Sequence, residues 1–146
     1  MQNFVVKLAL VKAEEIRPHE EIDQQHVYEI MRDILNRGVL LKPIVIDEAT
    51  KVIIDGHHRF HALKRIGLEE IPVAVVNYLS ENIIVESWKN SFIPSKEEIL
   101  EKTRKGLLYP YKTTKHMVIL GGEKYHISEV VPLVNYPITL KPQNLI

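Results

Sequence analysis

The chain has 146 residues with 19 basic and 19 acidic side chains, so it is formally neutral and long enough to bury one core. Neutrality argues against a general nucleic-acid binder, and the absence of cysteine removes disulfides, thiolate metal sites and cysteine nucleophiles. No signal-peptide pattern opens the chain and no apolar run is long enough to span a bilayer, so a cytoplasmic protein is expected. Glu and Lys dominate the charges, which fits a thermophile.

Phe4 to Leu10 reads as a first strand. Pro18 then stops regular structure and makes a stiff loop, Arg17-Pro18-His19-Glu20, whose acid is either a surface carboxylate or one delivered into a site. From Asp23 to Arg37 apolar residues recur at helical spacing: Val27, Ile30, Met31, Ile34 and Leu35. Asp23 is placed to cap this helix and Gly38 to end it. Asp33, beside the stripe, reads as a solvated helix acid or the edge of a cleft. Ile44 to Ile46 and Lys51 to Ile54 form a hairpin around the polar turn Asp47-Glu48-Ala49-Thr50.

That hairpin feeds the stretch on which the chain is organised, Asp55-Gly56-His57-His58-Arg59. A helix from about His57 to Ile66 follows, closed by Gly67. A helix N-terminus offers free N–H donors and the positive end of a dipole, which suits an anion. Asp55, one residue earlier, either holds a cation against that anion or simply caps the helix.

Ile71 to Val76 is almost continuously apolar and reads as a central strand. Asn82 to Val85 is a short apolar stretch, and on pattern alone Trp88 after it reads as a core residue. Ser95 and Glu98 have capping-box spacing, so a surface helix should run to Lys105 and stop at Gly106. Tyr109-Pro110-Tyr111-Lys112-Thr113-Thr114-Lys115-His116 concentrates donors that suit a phosphate or carboxylate, or else forms a solvated strand edge. Val118 to Leu120 and Ile127 to Val134 supply the last strand candidates, and the tail from Pro137 reads as extended.

At Asp55-Gly56-His57-His58-Arg59 the sequence resembles the ParB/sulfiredoxin superfamily, whose Gly-x-x-Arg box binds nucleotide phosphates at a strand-to-helix turn. Sulfiredoxin chemistry needs a cysteine in that box and is excluded. ParB proteins carry a helix-turn-helix after the box, and no second recognition helix is identifiable here. Within the superfamily the archaeal free L-serine kinases are a closer match. Four pieces carry that resemblance in order: Arg17-Pro18-His19-Glu20, Asp55-Gly56-His57-His58-Arg59, Trp88, and Lys112-Thr113-Thr114-Lys115-His116. The segment between Trp88 and Lys112 is shorter than in that family, and Asp33 falls where the family has a serine-type residue.

This resemblance implies an α/β fold, a mixed sheet with a few helices, as a single domain over residues 1–146. It implies a kinase moving a phosphoryl group from ADP or ATP to free L-serine, giving the O-phospho-L-serine that feeds cysteine synthesis in the family. Glu20 would be the general base and Asp55 the Mg²⁺ ligand. Gly56, His57, His58, Arg59 and Lys112 would face the phosphates, with His58 donating to the transferring group. Trp88, Thr113, Thr114 and His116 would hold the amino acid, and Asp33 its ammonium. Two alternatives stand beside it: a ParB-like nucleotide-binding regulatory module without kinase activity, and a kinase of another small hydroxyl compound. No membrane or nucleic-acid partner is expected, and the sequence leaves the oligomeric state open, a monomer included.

Overall fold

The computed structural model describes residues 4–89 and 92–138. Its architecture is mixed α/β, as expected. A four-stranded sheet has the order β1 (Lys7–Lys12), β5 (Glu70–Val76), β3 (Ile44–Asp47), β4 (Ile53–Asp55). β5 pairs antiparallel with β1 and parallel with β3, and β3 pairs antiparallel with β4. A second, antiparallel sheet has the order β6 (Ile83–Glu86), β7 (Lys115–Leu120), β8 (Glu123–His126). A short pair joins β2 (Val39–Leu40) to β9 (Tyr136–Pro137).

The continuous apolar runs are explained by two cores, one on each face of the large sheet. Ile44, Ile46, Ile53, Ile71 and Val73 pack with Val27 and Ile34 of α1 (Gln24–Arg37) and with Phe60 and Leu63 of α2 (His57–Ile66). The alternate residues Val45, Ile54, Ala74 and Val76 pack with Tyr78, Ile83, Val118 and Ile127 on the other side. Strands covered on both faces lose the polar alternation of a half-exposed sheet.

Helix ends follow the local chemistry. Asp23 caps α1, its carboxylate accepting from the Gln25 N–H at 3.1 Å, and Gly38 ends it in the left-handed region at φ 72°. Ile30 and Met31 are partly buried, but the expected core residue Leu35 is 39 % exposed. Ser95 and Glu98 form the full reciprocal capping box on α3 (Lys96–Arg104). The strand expected over 127–134 is instead a single helical turn, α4 (Ile127–Val130). The His126 ring accepts from the Ser128 N–H while the Glu129 carboxylate accepts from the His126 N–H. These local bonds turn the chain before it can extend, and Pro132 follows. Trp88 also departs from the pattern reading: it is 54 % exposed and no core residue. The tail beyond Ile138 lies outside the described residues. Among the described residues no helix is long and apolar enough to cross a membrane.

Candidate functional site

The segment after Arg17 is stitched into the fold on both sides. The Arg17 N–H donates to the Lys51 carbonyl and the Ile53 N–H to the Arg17 carbonyl, both at 2.9 Å, laying this segment along β4. Two residues on, the Tyr109 N–H donates to the His19 carbonyl at 2.8 Å and the Glu21 N–H to the Tyr109 carbonyl at 2.7 Å. Glu20 is thereby carried to the turn between β4 and α2, together with the segment that follows Tyr109.

At that turn Gly56 has φ 102°, and a Cβ there would meet the Arg59 guanidinium at 2.9 Å and Ile44 at 3.3 Å. Glycine adopts such a conformation without strain, and any side chain there would also have to displace the Arg59 guanidinium. The first intrahelical bond runs from the Phe60 N–H to the Gly56 carbonyl. The N–H groups of His57, His58 and Arg59 precede it, and among the described residues no side chain caps them. Three open donors therefore face a cleft of about 260 Å³ lined by Glu20, Asp55, Gly56, His58, Trp88 and Lys112, among others.

Both histidines of the turn act as acceptors toward the Pro18 loop. His57 Nε2 accepts from the His19 N–H at 3.0 Å, and His58 Nε2 accepts from the Asp23 N–H at 2.9 Å. A ring nitrogen that accepts is unprotonated, so each neutral ring carries its proton on Nδ1. Burial, and after it the neighbouring rings of His19 and His116, push the His57 pKa well below the ordinary value. Burial, with His26 next, also lowers that of His58. The neutral rings act as fixed clamps on the loop that bears Glu20.

Glu20 is 7 % exposed and accepts three bonds. Oε1 takes the Lys112 N–H at 2.9 Å, and Oε2 takes the Thr114 N–H at 2.9 Å and the Thr114 hydroxyl. Lys112 adopts a left-handed φ of 63° in the turn that presents these donors. Beneath, His19 Nε2 lies 3.2 Å from Thr114 Oγ1 and 3.6 Å from Glu20 Oε2.

Not every expected site residue reaches the cleft. The Asp33 carboxylate is spent on Arg37, at 3.0 and 3.1 Å on the exposed face of α1, and does not line the cleft. The Thr113 hydroxyl donates to the Pro110 carbonyl at 2.6 Å. His116 is 2 % exposed, with Nε2 2.8 Å from the Tyr78 hydroxyl, so it lies buried beneath the cleft and does not line it. Arg59 lines the cleft, but its guanidinium is engaged: one nitrogen, Nη2, donates to the Pro43 carbonyl at 3.1 Å and to Asp55 Oδ2 at 3.2 Å. It braces the turn in this conformation.

His26, Ile30 and Ile54, which line the cleft, and His126, which stands behind it, were passed over as site residues in the sequence. His126, at the end of β8, packs its ring 5.7 Å from Trp88 and puts Nε2 4.0 Å from Asp55 Oδ1. Ser128 and Glu129, two and three residues later, were the available signal, hidden by reading 127–134 as a strand. On Trp88 the Lys115 ammonium sits 4.8 Å from the ring centre.

The family model of the ParB N-terminal domain matches residues 2–90, which include Glu20, the Asp55 turn and Trp88. An ATP-dependent L-serine kinase of Staphylothermus marinus is 30 % identical over 104 residues, covering 68 % of this chain and 41 % of that protein. A ParB-like protein of Sulfolobus acidocaldarius is 35 % identical over 94 residues, covering 64 % of this chain and 46 % of that one. The matched stretches thus span less than half the length of these curated relatives. A free serine kinase variant solved in complex with AMP has the same fold, with a TM-score of 0.71 at 15 % identity over 86 % of this chain and 94 % of that one. Because the family model takes in more than half of the sequence and the whole Asp55 turn, the chain belongs to the ParB N-terminal domain family.

Proposed function

We propose that this chain is a small-molecule kinase that moves a phosphoryl group from ADP or ATP to the hydroxyl of free L-serine. The observation that carries the reading is that a buried carboxylate, Glu20, and the open N–H groups of α2 share one polar cleft. The similarity to L-serine kinases supports the choice of acceptor.

Phosphoryl transfer asks a protein for alignment and charge stabilisation more than for covalent chemistry. The donor's phosphates dock on the N–H groups of His57, His58 and Arg59, where Gly56 allows close approach. Lys112 adds positive charge, and the Nδ1–H of His58 remains a neutral donor toward the moving group. Glu20 has accepted three bonds, and a carboxylate has about four lone-pair sites, so acceptor capacity is left for the alcohol proton. Glu20 takes that proton as the serine oxygen bonds to phosphorus. The bond from phosphorus to the bridging oxygen breaks, and AMP leaves from ADP or ADP from ATP. Trp88 walls the acceptor side.

Magnesium fits this site in a limited sense. Among the described residues no cluster of three ligating side chains exists, so the protein forms no cage of its own. Asp55 is a single carboxylate that lines the cleft, with Oδ2 on Arg59 and Oδ1 without a hydrogen bond to Arg59. One carboxylate plus substrate phosphates and water is the usual environment of Mg²⁺. When bound, the ion would supply neutralisation of phosphate charge.

The test is a phosphoryl-transfer assay with ADP and with ATP against L-serine, other hydroxy amino acids and polyols. Serine-dependent release of AMP or ADP with formation of O-phospho-L-serine is expected. A different preferred acceptor overturns the substrate assignment. Nucleotide binding without turnover favours the second reading, a ParB-like regulatory binder, which the span of the family match favours because it ends before Lys112.

A further inference from the structure

We infer that His126 is a positioning residue that steers the Asp55 carboxylate, through its Oδ1 side, toward a magnesium–nucleotide complex and joins the proposed phosphate turn to the Trp88 wall. The inference rests on the proposed nucleotide site and adds a residue to it.

The ring has three neighbours, each fixing one aspect of its placement. Nδ1 accepts from the Ser128 N–H at 3.2 Å and lies 2.7 Å from the Ser128 hydroxyl. The neutral ring therefore carries its proton on Nε2. That N–H is 4.0 Å from Asp55 Oδ1, on the side opposite the Arg59 contact to Oδ2. The ring itself lies against Trp88, tilted by 39°. Both the His126 and Asp55 side chains are about one-fifth exposed, so the contact is partly shielded from solvent, behind the cleft that Asp55 and Trp88 line. Asp55 closes the large sheet and His126 closes the small one. Their contact spans the junction between the two sheets at the point where phosphates would dock. Groups that orient a metal-ligating carboxylate typically change metal affinity by ~10–100-fold when removed.

Capping and positioning are separable by substitution. Asn is a good N-cap, and its side-chain oxygen replaces Nδ1 at Ser128 but does not extend to Asp55. His126→Asn should retain the thermal midpoint and bind ADP without metal as the wild type does. Binding is read by calorimetry and by the fluorescence of Trp88, the only tryptophan. The gain in ADP affinity on adding Mg²⁺ should fall by about 10-fold. His126→Ser, a second cap-keeping variant, repeats the test if the Asn protein misfolds. His126→Gln restores an N–H of longer reach at the expense of the cap, and should recover part of the magnesium gain.

A wild-type magnesium gain in a folded cap-keeping variant overturns the inference. Equal loss of metal-free and metal-assisted ADP binding also overturns it, since His126 would then support the cleft only generally. A wild-type protein whose ADP affinity ignores Mg²⁺, or that binds no ADP, overturns it as well. Absence of transfer to any acceptor, with nucleotide binding intact, defeats the kinase reading alone and leaves this test standing.

Discussion

Glu20 commits both of its oxygens to the 112–114 backbone, so anchoring that turn is separable from the proton-accepting role proposed for it. In Glu20→Gln the amide nitrogen cannot accept, and one of those backbone donors is left unpaired. An unsatisfied buried donor costs about 1–3 kcal/mol, and loss of a general base about 10²–10⁴ in turnover. We expect a lowered denaturation midpoint together with a loss of turnover of that size in the folded fraction, with nucleotide still bound. A lowered midpoint with unchanged turnover would leave Glu20 only the anchoring role. Gly56 makes a sharper case. Its φ of 102° strains any L side chain, and a methyl group there would have to push aside the Arg59 guanidinium, 2.9 Å away. Gly56→Ala should cost about 1–3 kcal/mol in denaturant unfolding, chiefly from backbone strain, and should displace Arg59 from Asp55. A stability unchanged within ~0.5 kcal/mol would contradict the conformation described for the turn.

Among the elements, α3 shows how far local chemistry alone decides a structure. Ser95 and Glu98 specify its start with four letters of sequence, and the reciprocal bonds are present at 3.1 and 3.0 Å. Ser95→Ala should lower stability by ~1 kcal/mol with nucleotide binding unaffected, as measured by unfolding and titration. An effect on binding would mean that α3 communicates with the cleft. The same kind of signal made α1 and α2 readable, because Asp23, Gly38 and Gly67 sit at their ends. The 127–134 segment was misread because its apolar residues carry no period that separates a strand from a single turn. Its start is set by a histidine ring acting as a cap, a role that composition does not announce. Trp88 was misread as a core residue on pattern alone for a related reason, although the resemblance placed it at the cleft, where it lies. Pattern gives an aromatic residue's chemistry but not its exposure, which depends on where the second sheet lies.

For the molecule as a whole, the Asp55–Arg59 turn was legible as a structure and the proposed acceptor side was not. The turn is built from contiguous residues, so spacing reveals it. The acceptor side is assembled from residues nearly a hundred positions apart, and their side chains are claimed by neighbours that only the fold supplies: Asp33 by Arg37, Thr113 by Pro110, His116 by Tyr78. The same convergence packs His19, His57 and His116 together beneath the cleft, with His19 4.6 Å from the His57 ring and 6.1 Å from that of His116. Burial, followed by mutual repulsion with His19, holds His57 and His116 well below the ordinary histidine pKa, and a backbone contact at Ile54 only partly opposes this for His116. In the unfolded chain both would titrate near 6.5. Between the lowered folded pKa and that value the unfolded chain binds more protons, so stability rises with pH across the window. It should be complete above about pH 6.5 and fall on acidification at up to ~1.4 kcal/mol per pH unit for each group. A protonated His57 also ceases to accept the His19 N–H, which frees the loop that carries Glu20. Denaturant unfolding at pH 7.5 and 5.5 should show the fall, and His116→Gln, which does not titrate, should shallow the slope by up to about one proton. An equal slope in the two proteins would show that His116 takes up its proton without unfolding the chain.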